Sequence, residues 1–367
     1  MMNRRLRVLM VAVMAAFATS GAGRQDNQVQ LHDGAMSPAL AGSHGLTVMT
    51  YNIKGLPWPI AFDRGAAVER IGDRLARMRR AGQHPRLVLL QEAFSADAMT
   101  LAQRAGYRHV AMGPDADLRT PVTPNAADTA FLRTARWDRG EQMGKSMGSG
   151  LMILSDYPIR RTDRLAFPDF ACAGFDCLAN KGVLIAHIDI PGMGPTSIVN
   201  AHLNARTASG VPVIRSQQAY RRQIELMAGS IRRHVQPHEA LVLGGDMNLG
   251  RDRQRGRAFF GTFAQAGLAF VTPGLGGAQQ VLARRVGATG SWHDLTHAVR
   301  HGKDWLFARN AGGAPMTVLR AQVPFGTEAD GAPLSDHFGY MVHYAAQPGP
   351  KPIAFASSNP MPKLAGR

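Results

Sequence analysis

Short apolar runs, each closed by polar residues, recur along the middle of this chain: LTVMTYNI, RLVLLQEA, GLMILS, KGVLIAHIDI, TSIVNAHL, ALVLGGDMN, KDWLFA and GYMVHY. Runs this short, rich in Val, Ile and Leu and bounded by turn residues, predict β-strands. Two longer stretches keep a helical period instead. In AAVERIGDRLARMRR, Val68, Ile71, Leu75 and Met78 fall on one face, and in VIRSQQAYRRQIELMAGSIRRHV, Ile214, Ile224, Met227 and Ile231 do the same, so both predict amphipathic surface helices. Strands outnumber helices and do not alternate strictly with them, which predicts helices packed outside a pair of sheets rather than a βαβ repeat. There is no internal repeat and no glycine-rich loop of the Walker or dinucleotide type.

Outside that span the pattern changes. MMNRRLR, then VLMVAVMAAFA, then TSGAG follow the basic, apolar and small-residue order of a signal peptide cut near Ala22. The apolar run is short for the roughly 20 residues of a membrane span. The expected organisation is therefore a signal peptide (1–22), a flexible lead-in (23–45), one domain (46–345) and a Pro-rich tail (346–367), with the mature chain secreted or periplasmic. No later segment is apolar enough to cross a bilayer. With 367 residues, 45% of them hydrophobic, the chain can bury a large core. Its formal charge is +16, and losing Arg4, Arg5 and Arg7 with the signal would take three from that, leaving +13. Such a balance attracts nucleic acid or an anionic membrane face without choosing between them, and it also serves solubility. Cys172 and Cys177 are the only cysteines. Two alone make a poor zinc site; in an oxidising compartment they would close a short disulfide loop, and otherwise they are two free thiols.

Residues able to hold a metal or move a proton sit at the ends of the apolar runs, where α/β proteins build sites. Asn52 ends LTVMTYN, Glu92 ends LVLLQE, His202 and Asn204 close TSIVNAHLN, and Asp246 and Asn248 close LVLGGDMN. Asp304 opens DWLF, and Asp336 with His337 opens the last run. One such residue is ordinarily a turn or a cap, but the whole set points to chemistry. Mg²⁺ takes a carboxylate or two and leaves room for water and phosphate, a role suited to Asn52, Glu92 and Asp336; other divalent cations fit the same donors. Imidazole oriented by a carboxylate is the usual acid or base, and His202 and His337 supply two.

MTYNIKG, LLQEAF, NAHLN, GGDMN, KDWLF and LSDH also stand in the order seen in the endonuclease/exonuclease/phosphatase superfamily, which residues 46–344 resemble throughout. The resemblance implies a DNase-like α/β (α+β) fold, a four-layer sandwich of two mixed β-sheets flanked by helices, with the site at one edge between the sheets. It implies Glu92 as the main metal-binding carboxylate, with Asn52 beside it and Asp336 on the metal side. Asp246 and Asn248 would orient water and contact phosphate, Asp304 would hold His337, and His202 would meet the phosphate or leaving group. SGLMILSDYPI and LANKGVLIAHI resemble bacterial neutral sphingomyelinase C, which implies substrate-binding roles for Lys181 and Asn204. Two features depart from that pattern. Phe325 is the only aromatic residue between KDWLF and LSDH, where secreted sphingomyelinases carry an aromatic hairpin, and Trp305 replaces the family's tyrosine.

The expected activity is that of a Mg²⁺-dependent phosphodiesterase releasing phosphocholine from sphingomyelin or a related phospholipid, acting as a monomer in peripheral contact with anionic membrane. The alternative is a secreted nuclease, favoured by charge but lacking interleaved aromatic and basic residues for stacking bases. An inert binding module on the same scaffold is opposed by the complete set of Asp, Glu, Asn and His.

Overall fold

The computed structural model describes residues 28–30, 45–56, 64–95, 97–285, 288–289 and 292–345. The expected signal peptide, nearly all of the lead-in and the Pro-rich tail lie outside the described residues. Within the predicted flexible lead-in, Gln28–Gln30 instead forms a short strand, β1.

The first half of the domain contains β2 (Gly45–Asn52), α1 (Arg64–Arg80), β3 (Leu87–Gln91), α2 (Asp97–Arg104), β4 (His109–Met112), α3 (Ala126–Arg133), β5 (Met152–Ser155) and β6 (Ile159–Ala166). Next come β7 (Gly182–Ile190), β8 (Gly194–His202), α4 (Val213–His234), β9 (Ala240–Asp246), α5 (Arg253–Gln265), α6 (Gly277–Arg284), β10 (Ala288–Thr289) and α7 (Trp292–His301). The domain closes with β11 (Asp304–Arg309), β12 (Val318–Phe325) and β13 (Gly339–Ala345). One sheet runs β1, β4, β5, β3, β2, β13, β12, β10; the other runs β11, β9, β8, β7, β6. Both are mixed: β2 lies parallel to β3 and β8 parallel to β9, while their remaining neighbours in the sheet interior are antiparallel.

Side chains alternate across each strand, and this alternation sorts the apolar residues into three layers. Val48, Leu87, Leu89, Ile153, Leu184, Ile198, Val242 and Leu306 meet between the sheets, and α6 and α7 add Val281 and Leu295 to that layer. The opposite residues of β2 and β3, Met49, Tyr51, Val88 and Leu90, pack against Val68, Ile71 and Leu75 of α1. Val183, Ile185, Val199, Leu241 and Leu243 pack against Tyr220, Ile224 and Met227 of α4 and Phe259 and Phe263 of α5. Burying each large apolar side chain stabilises by about 1.5–3 kcal/mol, so the helix–sheet–sheet–helix order follows directly from the strand alternation. This is the predicted four-layer sandwich.

Two polar side chains cross the middle layer. Gln91 donates to Asn200 Oδ1 at 2.8 Å, and the Asn200 amide donates to the carbonyls of Leu90 and Met152 at 2.8 and 2.9 Å. Buried amides left unpaired would cost about 1–3 kcal/mol each, so this pair fixes how one sheet sits on the other. Ile214 departs from the predicted helical stripe, being 67% exposed. Its neighbour Arg215 takes the inward position because Glu141 receives its Nε at 2.7 Å. Phe325 is buried and stacks on Tyr51 with ring centroids 4.9 Å apart. No helix among the described residues is long and apolar enough to cross a membrane.

Candidate active site

Strand direction brings the chemistry to one edge. β2, β3, β8 and β9 all end there, and their antiparallel neighbours β7, β11 and β13 begin there. Residues that end or follow the first set (Asn52, Glu92, His202, Asp246) therefore meet residues that precede or open the second (Lys181, Asp304, His337). Register sets the finer placement: Asp246 lies directly between its cross-strand partners His202 and Asp304. Gly245 leads into it with φ +131, where an added Cβ would strike the carbonyl of Ala201, which accounts for the glycine in GGDMN.

Within this edge the side chains form one connected network. Asn52 Nδ2 donates to Glu92 Oε1 at 2.8 Å and to Asp246 Oδ2 at 3.2 Å. His337 Nδ1 lies 2.7 Å from Asp304 Oδ2, and its Nε2 lies 3.6 Å from Asp246 Oδ2. Burial disfavours the His337 charge, but Asp304 and Asp246 outweigh it and raise the pKa to about 9. His202 goes the other way. Burial and the neighbouring Lys181 lower its pKa to about 3, so its 3.5 Å approach to Asp246 is not an ion pair at neutral pH. One imidazole is thus charged and the other neutral. Burial pushes the Glu92 and Asp304 carboxyls up, whereas His337 and His202 overcome burial to bring Asp246 down to about 2.

Lys181 is buried just ahead of β7, and its Nζ reaches Asp176 Oδ2 (3.0 Å), His202 Nε2 (3.2 Å) and the carbonyl of Leu203 (3.3 Å). A lysine only donates, so His202 Nε2 accepts, leaving a buried Nδ1 without a partner. Asp176 belongs to the loop closed by the Cys172–Cys177 disulfide; its spacing from Lys181 was the only sequence signal for it. Lys303, placed 3.4 Å from His337 Nε2, was likewise visible only as the residue before Asp304. Asn248, in the left-handed region at φ +47, donates from Nδ2 to the carbonyl of Leu203 at 2.9 Å.

Two predicted residues stand differently. Asn204 is fully buried, its Oδ1 accepting from Ala173 N and its Nδ2 donating to the carbonyl of Ala205, both at 2.9 Å. Its oxygen thus anchors the disulfide loop through Ala173, while its nitrogen bonds the next residue along the chain. Asp336 faces outward, paired with Lys54 at 3.4 Å and more than half exposed. The metal set expected from sequence is thus gathered only in part: Asn52 and Glu92 touch, and Asp336 is turned to a lysine. Among the described residues, three possible ligands come within 4.8 Å of one another at Asp246, Asp304 and His337. With His337 protonated, the carboxylates Asp246 and Asp304 of that group and the half-buried Glu92, which accepts from the uncharged Asn52 amide, offer the oxygen donors a divalent cation takes. A cavity of about 400 Å³ opens beside Asn248 and Lys303 and is also lined by Arg206, Arg251 and Asp252.

The sequence profile of the Endonuclease/Exonuclease/phosphatase family matches residues 49–337, from the second half of β2 to His337. The chain belongs to that family. Membership makes it a hydrolase of the phosphodiester type. Solved structures share the fold of this family member at low identity. A Staphylococcus aureus beta toxin mutant with bound magnesium ions is 15% identical (TM-score 0.53), covering 82% of this chain and 99% of its own. Sphingomyelinase C from Streptomyces griseocarneus is 18% identical (TM-score 0.51; 82% and 99%). TDP2 from D. rerio, complexed with a single-strand DNA product, is 16% identical (TM-score 0.51; 82% and 99%). No curated protein sequence matches the chain.

Proposed function

We propose that this family member is an exported, Mg²⁺-dependent phosphodiesterase that releases phosphocholine from sphingomyelin-type phospholipids. The observation that carries the phosphodiesterase reading is the row Lys181, His202, Asp246, His337 and Asp304, with Glu92 and Asn52 beside it. A bound cation supplies charge neutralisation at a phosphoryl oxygen; Glu92 would hold it, its carboxylate fixed by the Asn52 amide. Lys181 adds a fixed cation on the phosphate side. His337, oriented by Asp304, holds a proton at neutral pH and can supply it as a general acid, while His202 stays neutral and accepts from Lys181, fixing that ammonium beside Asp246. The lipid substrate is supported by the DYPI and NKGV strand motifs and by the likeness to sphingomyelinase C. The disulfide supports a secreted or periplasmic location, because such bonds persist in oxidising compartments.

A second substrate has its own observation. Arg206, Arg251 and Lys303 line the open cavity against one carboxylate, Asp252, a lining that suits a further phosphate of a nucleic-acid strand. Purified protein should release phosphocholine from sphingomyelin in mixed micelles faster than it nicks plasmid DNA. A chelator should stop turnover and Mg²⁺ restore it, and Glu92→Gln should lower activity by about 10²-fold or more. DNA cleavage without phosphocholine release rejects the lipid reading, and a Glu92→Gln protein with normal rate at low Mg²⁺ removes Glu92 from the metal site.

A further inference from the structure

Two loops at the site come from distant parts of the chain. Asn52–Lys54 leaves β2, and Leu334–His337 enters β13. A residue outside every motif holds both: Arg64, the first of α1. Its Nε donates to the carbonyl of Lys54 at 2.8 Å, and its Nη2 donates to the carbonyls of Ile53 and Leu334, each at 2.7 Å. The planar guanidinium suits this task, since its donors leave in fixed directions.

The loop that Arg64 grips is strained. Lys54 has φ +50, a left-handed conformation that a non-glycine residue keeps only where its surroundings over-determine it. Arg64 takes the carbonyls of Ile53 and Lys54, the Lys54 N–H donates to Asn52 Oδ1 at 3.1 Å, and the Gly55 N–H donates to the Glu92 carbonyl at 2.8 Å. With Oδ1 occupied by the turn, the other end of the Asn52 amide is left facing Glu92 and Asp246. On the second loop, Ser335 Oγ donates to the carbonyl of Asn52 at 2.7 Å, one residue from both Leu334 and Asp336.

We infer that Arg64 is a positioning residue for the cation site: by locking the Lys54 turn against the Leu334 loop, it sets the orientation of Asn52 toward Glu92 and the distance at which Asp336 stands from both. It touches neither cation nor substrate. The inference rests on the proposed reading that Glu92, held in place by the Asn52 amide, binds a divalent cation. Supporting groups of this kind typically change metal affinity by about 10–100-fold.

The test is Mn²⁺ binding to the full mature chain without substrate, measured by calorimetry and by electron paramagnetic resonance, alongside thermal melts. Arg64→Ala should bind Mn²⁺ about 10-fold or more weakly, and Arg64→Lys should fall between it and wild type, because an ammonium can replace part of the grip but not its geometry. A lower melting temperature with unchanged Mn²⁺ affinity would show a purely structural arginine and overturn the inference. Should Arg64→Ala fail to fold, Arg64→Lys decides: affinity equal to wild type overturns it, and a weakened site upholds it. Wild-type protein that binds no Mn²⁺ removes the cation reading and this inference together, whereas tight wild-type binding matched by both variants removes only the role of Arg64.

Discussion

Asp156 and Asp246 are both buried carboxylates held below the ordinary range, at opposite ends of the β-sandwich, and their neighbourhoods differ in kind. Asp156, just past β5, faces Arg79 at 2.8 Å, Arg86 at 3.3 Å and His84 at 2.7 Å. Arg79 is itself anchored, donating to the carbonyl of Ala105 and lying over the Tyr107 ring. One carboxylate there is outnumbered by cations. At the other end Asp246 stands next to a second carboxylate, Asp304, beside a neutral His202, and shares the single charged imidazole of His337. Glu92 and Asp304 are pushed up rather than down, and Asp304 Oδ1 is buried without a partner. The first arrangement is what stability alone selects. The second sets Asp246, Asp304 and Glu92 among Lys181, Lys303 and His337 in one network, a close mixture of opposite charges that is costly to bury and useful where a cation and a phosphate must enter.

The largest effect that tests this contrast is on turnover. His337→Ala and Asp304→Asn should each lower kcat by about 10²–10⁴-fold, while melting temperature holds or rises, since relieving a strained or like-charged site often stabilises. An Asp304→Asn enzyme of normal rate would show that the 2.7 Å pairing is only structural. The next effect is on stability. Asp156→Asn leaves two guanidiniums facing a neutral amide, so it should cost about 3 kcal/mol and lower the melting temperature by several degrees, with turnover retained in the folded fraction. Loss of turnover on the scale of Asp304→Asn would erase the distinction between the two ends.

The smallest effect concerns acid. Burial alone would raise the Asp156 pKa, but the His84 hydrogen bond and the charge of Arg79 overcome it and hold it low. A carboxyl lower in the folded than in the unfolded state contributes stability that is complete above its unfolded value of about 3.9 and fades as pH falls through the folded value. Urea midpoints measured from about pH 6 downward should therefore drop more steeply for wild type than for Asp156→Asn as that window is entered. Parallel curves would mean that the node does not titrate as a unit.

Much of this was legible in sequence for a geometric reason. All eight apolar runs form strands, because two-sided burial demands continuous apolar residues, and strand ends gather at one edge whenever parallel and antiparallel neighbours alternate as they do here. The strands β1, β4, β6, β10 and β12 were not legible: QVQ, HVAM and AT are short, IRRTDRLA lies on a sheet edge with much of its length exposed, and VLRAQVPF carries Pro324. The disulfide was left open between bridge and thiols, and the structure closes it. Asp176, Lys303 and Arg64 escaped because what they do depends on contacts across loops, which no periodicity records. The contacts of Asn204 were hidden for a complementary reason: an amide beside a site looks the same in sequence whether it faces substrate or ties down a neighbouring loop.

The last strand of the domain has a consequence for how the protein comes into being. β13 pairs with β2 and β12 in the interior of its sheet, and His337 stands two residues ahead of it. A growing chain can place β2 beside β3 early, yet the flank of β2 that receives β13 stays open until translation has passed residue 345. Any fragment released before residue 337 lacks both the strand that completes the sheet and the imidazole that completes the site, and one released between there and residue 345 lacks a complete strand to hold it. Synthesis thus orders assembly: this hydrolase has no complete centre until its domain is whole.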